Sequence, residues 1–329
     1  MKPSRAAAWL LVAVFLSSAV SLAGEDKKKD VDAIGERRVA RRSIISQEKE
    51  IGIGKQYANE IDHSAKMVTD PVVVEFVNRL AQNVARNSDL TIPLTVKVID
   101  SPELNAFALP GGFLYVNSGL VLAADEEAQV AGVVAHEIAH VAARHWASQM
   151  TKATFLQYAM IPLIFTPMSY PVYMGLSTAL NLGIPMAFLK FSRGDEAEAD
   201  MLGLQYMYKA GYDPSAYVTF FSKIIDEDRK SPGSVPTVFA SHPPTPERIL
   251  KSEEEIKAIL PKREQYLVST SEFDDVKTRL QSIMSLKKSE KKEGPTLRKR
   301  ESTDQAGTGQ KPTDTGKDED KPPVLRRRD

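Results

Sequence analysis

Two histidines and a glutamate stand close together in the segment HEIAH, residues 136–140, and their spacing is the most specific chemical signal in the sequence. Because positions four apart lie one turn apart on the same face of an α-helix, His136 and His140 can reach one metal ion. Glu137 lies about 100° further round the helix, where its carboxylate can take a proton from a water molecule on the metal. This is the His-Glu-x-x-His pattern of zinc peptidases, so we predict one zinc ion held by both histidines, with Glu137 as general base.

A catalytic zinc site needs a third protein ligand, and the sequence points to a carboxylate for this position. The chain contains no cysteine, and Trp146 occupies the position at which the metzincin motif has its third histidine. Further along, Glu196 and Asp200 are four residues apart and share one helical face. We predict that Glu196 binds the metal and that Asp200 accepts a hydrogen bond from Nδ1 of a zinc-bound histidine. Glu198 is an alternative ligand, although no acidic residue follows it four positions later.

The other three histidines have less specific surroundings. His242 lies in a stiff Ser-His-Pro-Pro segment, and Arg248 follows it by six residues. This pair can stabilise the oxyanion of a tetrahedral intermediate beside the metal, but a loop histidine and a surface arginine fit the same spacing equally well. His145 follows His140 by five residues and on a continuous helix would point off the ligand face, which favours a packing or supporting role. His63 is expected at the surface.

Helical patterns surround these residues, with one short region of strand signals between them. Helices are predicted over about 71–87, 125–152, 195–210 and 271–284, and two more begin at the cap-plus-proline pairs Asp213-Pro214 and Thr245-Pro246. A strand is predicted over 93–100, and the segment 105–116 reads as strand, tight turn and strand around Pro-Gly-Gly. The sequence therefore predicts a helical domain with a small sheet.

Both ends of the chain differ in composition from its middle. Residues 1–23 combine a basic start, an apolar stretch and small residues before a cleavage point, which predicts a signal peptide; an uncleaved membrane anchor is the alternative. We expect export to the periplasm or the extracellular space, with residues 24–45 as a linker. Residues 287–329 are charged and poor in apolar side chains, which predicts a disordered tail, solvated or in contact with the membrane or envelope. A peptidase domain over 46–286 remains.

Composition also limits the class of protein. The 43 basic and 43 acidic side chains balance, which argues against a dedicated nucleic-acid binder. The segment 153–189 contains no charged residue, yet its prolines and glycines break it into pieces too short to cross a bilayer. We favour buried helices beside a cleft for this segment; a mobile apolar flap and a surface that dips into the membrane are the alternatives. Nothing in the sequence defines the oligomeric state.

Four segments in the order NAFALPGG, HEIAHVAARH, FSRGDEAEAD and SHPPTPERI resemble the HtpX, BepA and CAAX prenyl endopeptidase family of zinc metallopeptidases. The resemblance covers about 46–286 and implies an α+β, mainly helical fold of the thermolysin-like (gluzincin) type, with a small β-sheet next to the active-site helix. It implies zinc binding by His136, His140 and Glu196, with Glu137 as general base.

The same resemblance implies roles for residues outside the metal ligands. His242 would act near the metal, either as a transition-state stabiliser or as a removable fourth ligand, and Arg248 matches the family's arginine six residues beyond it. The region containing Asn105, Ala106, Phe107 and Ala108 would be the edge strand on which an extended substrate lies. The chain lacks the long membrane helices of HtpX and the prenyl endopeptidases, and the helical repeats of the BepA type, so a lipidated substrate and docking on an outer-membrane assembly machine are not expected.

We therefore expect an exported zinc endopeptidase that acts on misfolded polypeptides of the cell envelope. The alternative is a chaperone-like or binding module with a latent zinc site, in which the charge-free segment holds client chains.

Overall fold

The computed structural model describes residues 27–164, 191–230 and 242–292. The predicted signal peptide and the predicted tail beyond 292 lie outside these ranges, and so do residues 165–190 of the charge-free segment. The chain divides after Leu286 into two units, and the elements around the candidate site belong to the first. Among the described residues, no helix is long and apolar enough to span a membrane.

The described part of the chain is mainly helical, with one small sheet. Its helices are α1 (Gln47–Ser64), α2 (Pro71–Arg86), α3 (Ser118–Ala123), α4 (Glu127–Ala142), α5 (His145–Ile164), α6 (Arg193–Ala210), α7 (Ser215–Lys230), α8 (Pro246–Ile259) and α9 (Ser271–Lys292), and its strands are β1 (Thr95–Ile99), β2 (Ala106–Leu109) and β3 (Phe113–Asn117). This confirms the predicted fold class. The predicted caps form as well, since the Asp70 carboxylate accepts from the first backbone N–H groups of α2. Helix α9 runs beyond the predicted end at 284 into the segment that we predicted to be tail.

The sheet has the order β1-β3-β2, with β1 parallel and β2 antiparallel to the central β3. Strand β2 is therefore an edge strand of the described sheet. The predicted Pro-Gly-Gly turn joins β2 to β3, and Gly111 and Gly112 both adopt positive φ angles, of 80° and 87°, which side chains rarely tolerate. The strand–turn–strand prediction over 105–116 is confirmed.

Helix α4 lies in the centre of the domain, and every one of its residues is buried. Helices α2, α6 and α7 and strand β2 pack around it. Helix α6 approaches it closely, because a Cβ atom at Gly203 would lie only 3.1 Å from the backbone nitrogen of His136. The absence of a side chain at Gly203 thus allows the two helices that carry the candidate ligands to touch at backbone distance.

The predicted continuous helix over 125–152 is wrong, because the chain breaks between α4 and α5. Helix α4 ends at Ala142, and Arg144 adopts a left-handed conformation with φ 55° before α5 begins at His145. The Arg144 side chain donates to Glu50 Oε2 at 2.8 Å and to the Ile45 carbonyl oxygen at 2.8 Å. These long-range contacts hold a conformation that a non-glycine residue adopts only at some cost.

Residues 27–45, which we expected to form part of a linker, instead pack against the domain; we call the segment the N-terminal strap. Val31 and Val39 are buried, and Arg37 forms an ion pair with Asp89 in which both side chains are only 1% exposed. Burial of a charged pair is tolerated here because Arg37 also donates to Gln205 Oε1 and Asp89 accepts from Tyr206. The pair ties the strap to the loop after α2.

Two glycines on α1 provide a matched test of this packing. A Cβ atom at Gly54 would lie 1.7 Å from the carbonyl oxygen of Pro110, whereas one at Gly52 would meet nothing within 4 Å. We expect Gly54→Ala to destabilise the domain by about 3 kcal/mol, since the β2–β3 turn must move. Gly52→Ala should stabilise it by about 0.5–1 kcal/mol through helix propensity. Chemical denaturation measures both, and equal effects of the two substitutions would contradict the packing of α1 on this turn.

Candidate metal centre and active site

Four buried side chains converge on one point between α4, α6 and the segment before α8. His136, His140, Glu196 and His242 each offer one ligand atom, and these atoms all lie within 4.8 Å of one another. Both histidines of the 136–140 motif and the downstream glutamate therefore meet, as predicted.

The separations in this cluster fit a zinc ion. The Nε2 atoms of His136 and His140 are 3.1 Å apart, and each lies 3.5 Å from a carboxylate oxygen of Glu196. Ligand atoms about 2.0–2.1 Å from one tetrahedral ion would be about 3.3–3.4 Å apart. Glu196 Oε2 lies 3.0 Å from Arg248 Nη1, but among the described residues it receives no hydrogen bond of favourable geometry. A buried carboxylate with spare acceptor capacity, whose two oxygens each face one imidazole nitrogen, is suited to a cation.

Helix α6 presents its carboxylates to the metal ligands of α4 because its first turn is fixed. Ser192 and Asp195 form a reciprocal capping box at the start of α6. Glu196 and Asp200 then follow on one face, turned towards His136 across the close approach at Gly203. The capping box at the start of α6 and the close approach at Gly203 together determine the position of Glu196, the third candidate ligand.

Behind His136, a carboxylate orients the imidazole. His136 Nδ1 lies 3.0 Å from Asp200 Oδ1, so the proton resides on Nδ1 and Nε2 faces the cluster. Arg248 makes a bidentate contact with Asp200, at 2.8 Å from Nε and 2.7 Å from Nη2, and the hydroxyl group of Tyr217 donates to the same carboxylate at 2.5 Å. Although burial would raise it, the pKa of Asp200 is held well below its usual range by Arg248 and His136.

The charges around His136 change its own protonation. Burial alone would lower its pKa, but the hydrogen bonds to Asp200 and Glu196 outweigh burial and raise the pKa to about 9 in the metal-free site. For His140, burial and then the neighbouring cationic groups move the pKa well below the usual value. The two histidines of the motif thus hold different charges before a metal binds.

The guanidinium of Arg248 is engaged by several other groups of the site. Besides its hydrogen bonds to Asp200 and its ion pair with Glu196, it donates to the carbonyl oxygens of His242 and Pro243 at 3.2 and 3.1 Å. Its donors are therefore engaged in holding two carboxylates and the backbone that carries His242. These contacts suit a positioning role for Arg248, and its predicted role at the oxyanion stays a prediction.

His242 lies among the candidate ligands. Its Nδ1 is 2.7 Å from Glu196 Oε1, its Nε2 is 3.9 Å from Glu137 Oε1, and its ring stands 4.7 Å from that of His140. The position is compatible with both predicted roles, a removable fourth ligand and a group that faces the reacting carbonyl.

Glu137 connects the cluster to the sheet. Its Oε2 accepts a hydrogen bond from the backbone N–H of Ala108 at 3.1 Å. The backbone N–H of Asn117 donates to Asn105 at 2.8 Å, so this pair is hydrogen-bonded and the pairing alternates along β2. Ala106 and Ala108 therefore turn their backbone groups away from β3, whereas Phe107 pairs with the central strand and stacks its ring on Tyr115.

Three residues around this site were missed or only partly anticipated from the sequence. Tyr217 has no recognisable motif and reaches His136 only because α7 packs on α4. His145 lies 2.9 Å from His140 through their Nδ1 atoms, a contact that the break at Arg144 creates. Glu198, our alternative ligand, points away from the cluster to His145 and the strap. His63 is exposed, as predicted.

Comparison with known proteins places the chain among characterised peptidases. It matches peptidase family M48 over residues 71–256. It is 30% identical over 218 residues to the beta-barrel assembly-enhancing protease of Escherichia coli (strain K12), covering 64% of this chain and 45% of that protein. It is 38% identical over 129 residues to the mitochondrial metalloendopeptidase OMA1 of Arabidopsis thaliana, covering 39% of this chain and 25% of that protein. The chain thus spans less than half the length of these relatives.

The family match extends from α2 to α8 and includes all the residues of the cluster, together with Glu137, Asp200 and Arg248. It covers more than half of the chain, and it agrees with the resemblance that the sequence motifs carry. The chain belongs to peptidase family M48, the family of zinc metallopeptidases that includes HtpX.

Proposed function

We propose that this chain is an exported zinc endopeptidase that hydrolyses peptide bonds in misfolded proteins of the cell envelope. The observation that carries the proposal is the position of Glu137. Its carboxylate lies 3.9 Å from Nε2 of His242, one of the four clustered side chains, and accepts a hydrogen bond from an outward-facing backbone N–H of the edge strand. A base, a metal site and a strand for substrate pairing thus meet at one point.

In the proposed mechanism, His136, His140 and Glu196 hold the metal. Zinc bound there would polarise the attacking water and the scissile carbonyl. Glu137 takes the proton of that water and delivers it to the leaving amine, and the Ala108 N–H fixes the carboxylate for both steps. His242, 3.9 Å from Glu137 through Nε2, donates to the developing oxyanion.

The proposed substrate is an extended polypeptide. Apart from the Ala108 N–H, which donates to Glu137, the outward-facing backbone groups of Ala106 and Ala108 suit β-augmentation, in which a peptide adds as a further strand along β2. Export and the envelope location rest on the sequence of residues 1–23. The printed name of the bacterial relative, a beta-barrel assembly-enhancing protease, is consistent with an envelope substrate.

One observation bears on the alternative, a module that binds client chains without cleaving them. Phe155, Leu156 and Tyr158 on α5 are 58%, 61% and 63% exposed, so the described start of the charge-free segment presents apolar side chains at the surface. Such a surface suits unfolded chains in a chaperone and in a protease alike. The two functions differ in their need for metal.

Replacing Glu137 with glutamine should lower the rate of cleavage of a denatured protein such as casein by about 10²–10⁴-fold, because the amide cannot take the proton. Zinc content should be unchanged, since Glu137 is not a ligand. The exposed Glu103 lies just before β2, and Glu103→Gln is the matched control that should cleave at the wild-type rate. Undiminished cleavage by Glu137→Gln would contradict the proposed role of Glu137 and the peptidase function.

Removal of metal by a chelator should abolish cleavage while leaving the chain folded, and added zinc should restore it. Casein cleavage and binding of a fluorescent unfolded client are measured in parallel. Under the binding-module alternative, client binding persists and no metal-dependent cleavage is seen in either state.

Zinc affinity should fall as pH falls. The pKa of His136 is about 9 in the metal-free protein, so below that pH zinc must displace a proton. Affinity should then drop about tenfold for each unit of pH. Competition with a chromophoric chelator at about pH 8 and pH 7 measures this. Asp200→Asn should flatten the dependence by lowering the pKa of His136, and an affinity independent of pH in the wild-type chain would contradict the assignment.

A further inference from the structure

His140, the second histidine of the motif, has an unusual partner at its Nδ1 atom. His136 meets a carboxylate there, but His140 meets another histidine, with its Nδ1 2.9 Å from Nδ1 of His145. His145 is completely buried, and the edge of one ring faces the other at a centroid distance of 4.9 Å. Nothing in the proposed mechanism uses this contact.

The hydrogen bonds around His145 fix the direction of each proton. If His140 uses Nε2 to face the cluster, its Nδ1 carries the proton and donates to His145. His145 then accepts at Nδ1 and carries its own proton on Nε2. That nitrogen lies 3.2 Å from Glu198 Oε2, which accepts. Each ring nitrogen in this series of contacts is therefore either a donor or an acceptor. The assignment depends on the carboxylate of Glu198, which can only accept.

The carboxylate of Glu198 is in turn held by the N-terminal strap. Arg41 donates to Glu198 Oε2 from Nε at 2.9 Å, and the Lys28 ammonium pairs with Oε1. Arg41 also pairs with Asp195, the capping residue at the start of α6. Two cations of one segment thus converge on the helix that carries the third candidate ligand.

We propose that Glu198, His145 and the N-terminal strap are positioning elements of the zinc site. The strap fixes Glu198, Glu198 fixes the tautomer of His145, and His145 orients His140 and makes its Nε2 a better ligand. This inference rests on the proposed zinc site. A purely structural ion pair would instead stabilise the fold without changing metal affinity.

The first test is the zinc affinity of Glu198→Gln, measured on the full chain by competition with a chromophoric chelator. We expect affinity to weaken about 10–100-fold, the range typical of lost outer-shell partners. The absorption spectrum of the cobalt-substituted protein should also change, because His140 is no longer held in one orientation. Unchanged affinity and spectrum in a folded variant would overturn the proposal.

Glu127→Gln is the matched control. Glu127 is a buried glutamate on α4 that accepts from the hydroxyl groups of Tyr212 and Thr270, about 13 Å along the helix from His136. Its loss should lower the melting temperature but leave zinc affinity unchanged. Equal weakening of zinc binding by both variants would show a general effect of destabilisation and would also overturn the proposal.

Lys28→Met tests the strap separately and should fold, because the Lys28 side chain is 27% exposed and its ion pair is with Glu198. It should weaken zinc binding a few-fold in the wild-type chain and have no further effect in Glu198→Gln. Additive losses, or no loss in either background, would remove the strap from the network.

The positioning network and the peptidase function can be overturned independently of each other. Cleavage by Glu198→Gln should return when zinc is added in excess, whereas cleavage by Glu137→Gln should not. Wild-type affinity in Glu198→Gln overturns the positioning network and leaves the peptidase intact. A wild-type chain that binds no zinc overturns both.

Discussion

The close contact between α4 and α6 is the constraint on which the rest of the structure depends. Helix α4 is buried on all sides, so its histidines can meet a carboxylate only if another helix brings one into the interior. Gly203 permits that approach next to His136. Ionised groups are costly to bury, and the structure therefore surrounds Glu196 and Asp200 with imidazoles and with the guanidinium of Arg248.

The two candidate histidine ligands are supported by different means. Behind His136 stand Asp200, Tyr217 and Arg248, all from helices after α4 in the chain. Behind His140 stand His145 and, through Glu198, cations from a segment that precedes every helix of the site. The contacts behind the candidate ligands thus come from segments on both sides of α4 in the sequence.

Much of the candidate site could be predicted because its spacing is local. His136, Glu137 and His140 belong to one helix, and Glu196 and Asp200 belong to another, so the 3.6-residue period alone sets each group on one face. Because the chain has no cysteine and no histidine at the metzincin position, the third ligand was expected to be a carboxylate. That expectation placed the helix of Glu196 beside the helix of the two histidines. The Pro-Gly-Gly turn was equally local, because only particular residues accept its positive φ angles.

The parts that could not be predicted depend on contacts between distant residues. The break at Arg144 is held by Glu50, almost a hundred positions earlier, and no local signal such as glycine marks it. More than half of the strap residues are charged, so the segment reads as a linker, yet Arg37 and Asp89 fix it through a buried pair. Tyr217 occupies an ordinary helical position, and only the packing of α7 on α4 gives it a role beside His136.

Strand β2 has four residues, so its free edge is about 13 Å long at about 3.3 Å per residue. Backbone hydrogen bonding along such an edge does not distinguish one side chain from another. A chain that paired there, as proposed, would have to be extended over about four residues, whatever their identity. Pairing of this kind would select by conformation, because a segment already folded into a helix has no strand to offer and a locally unfolded segment of almost any sequence does.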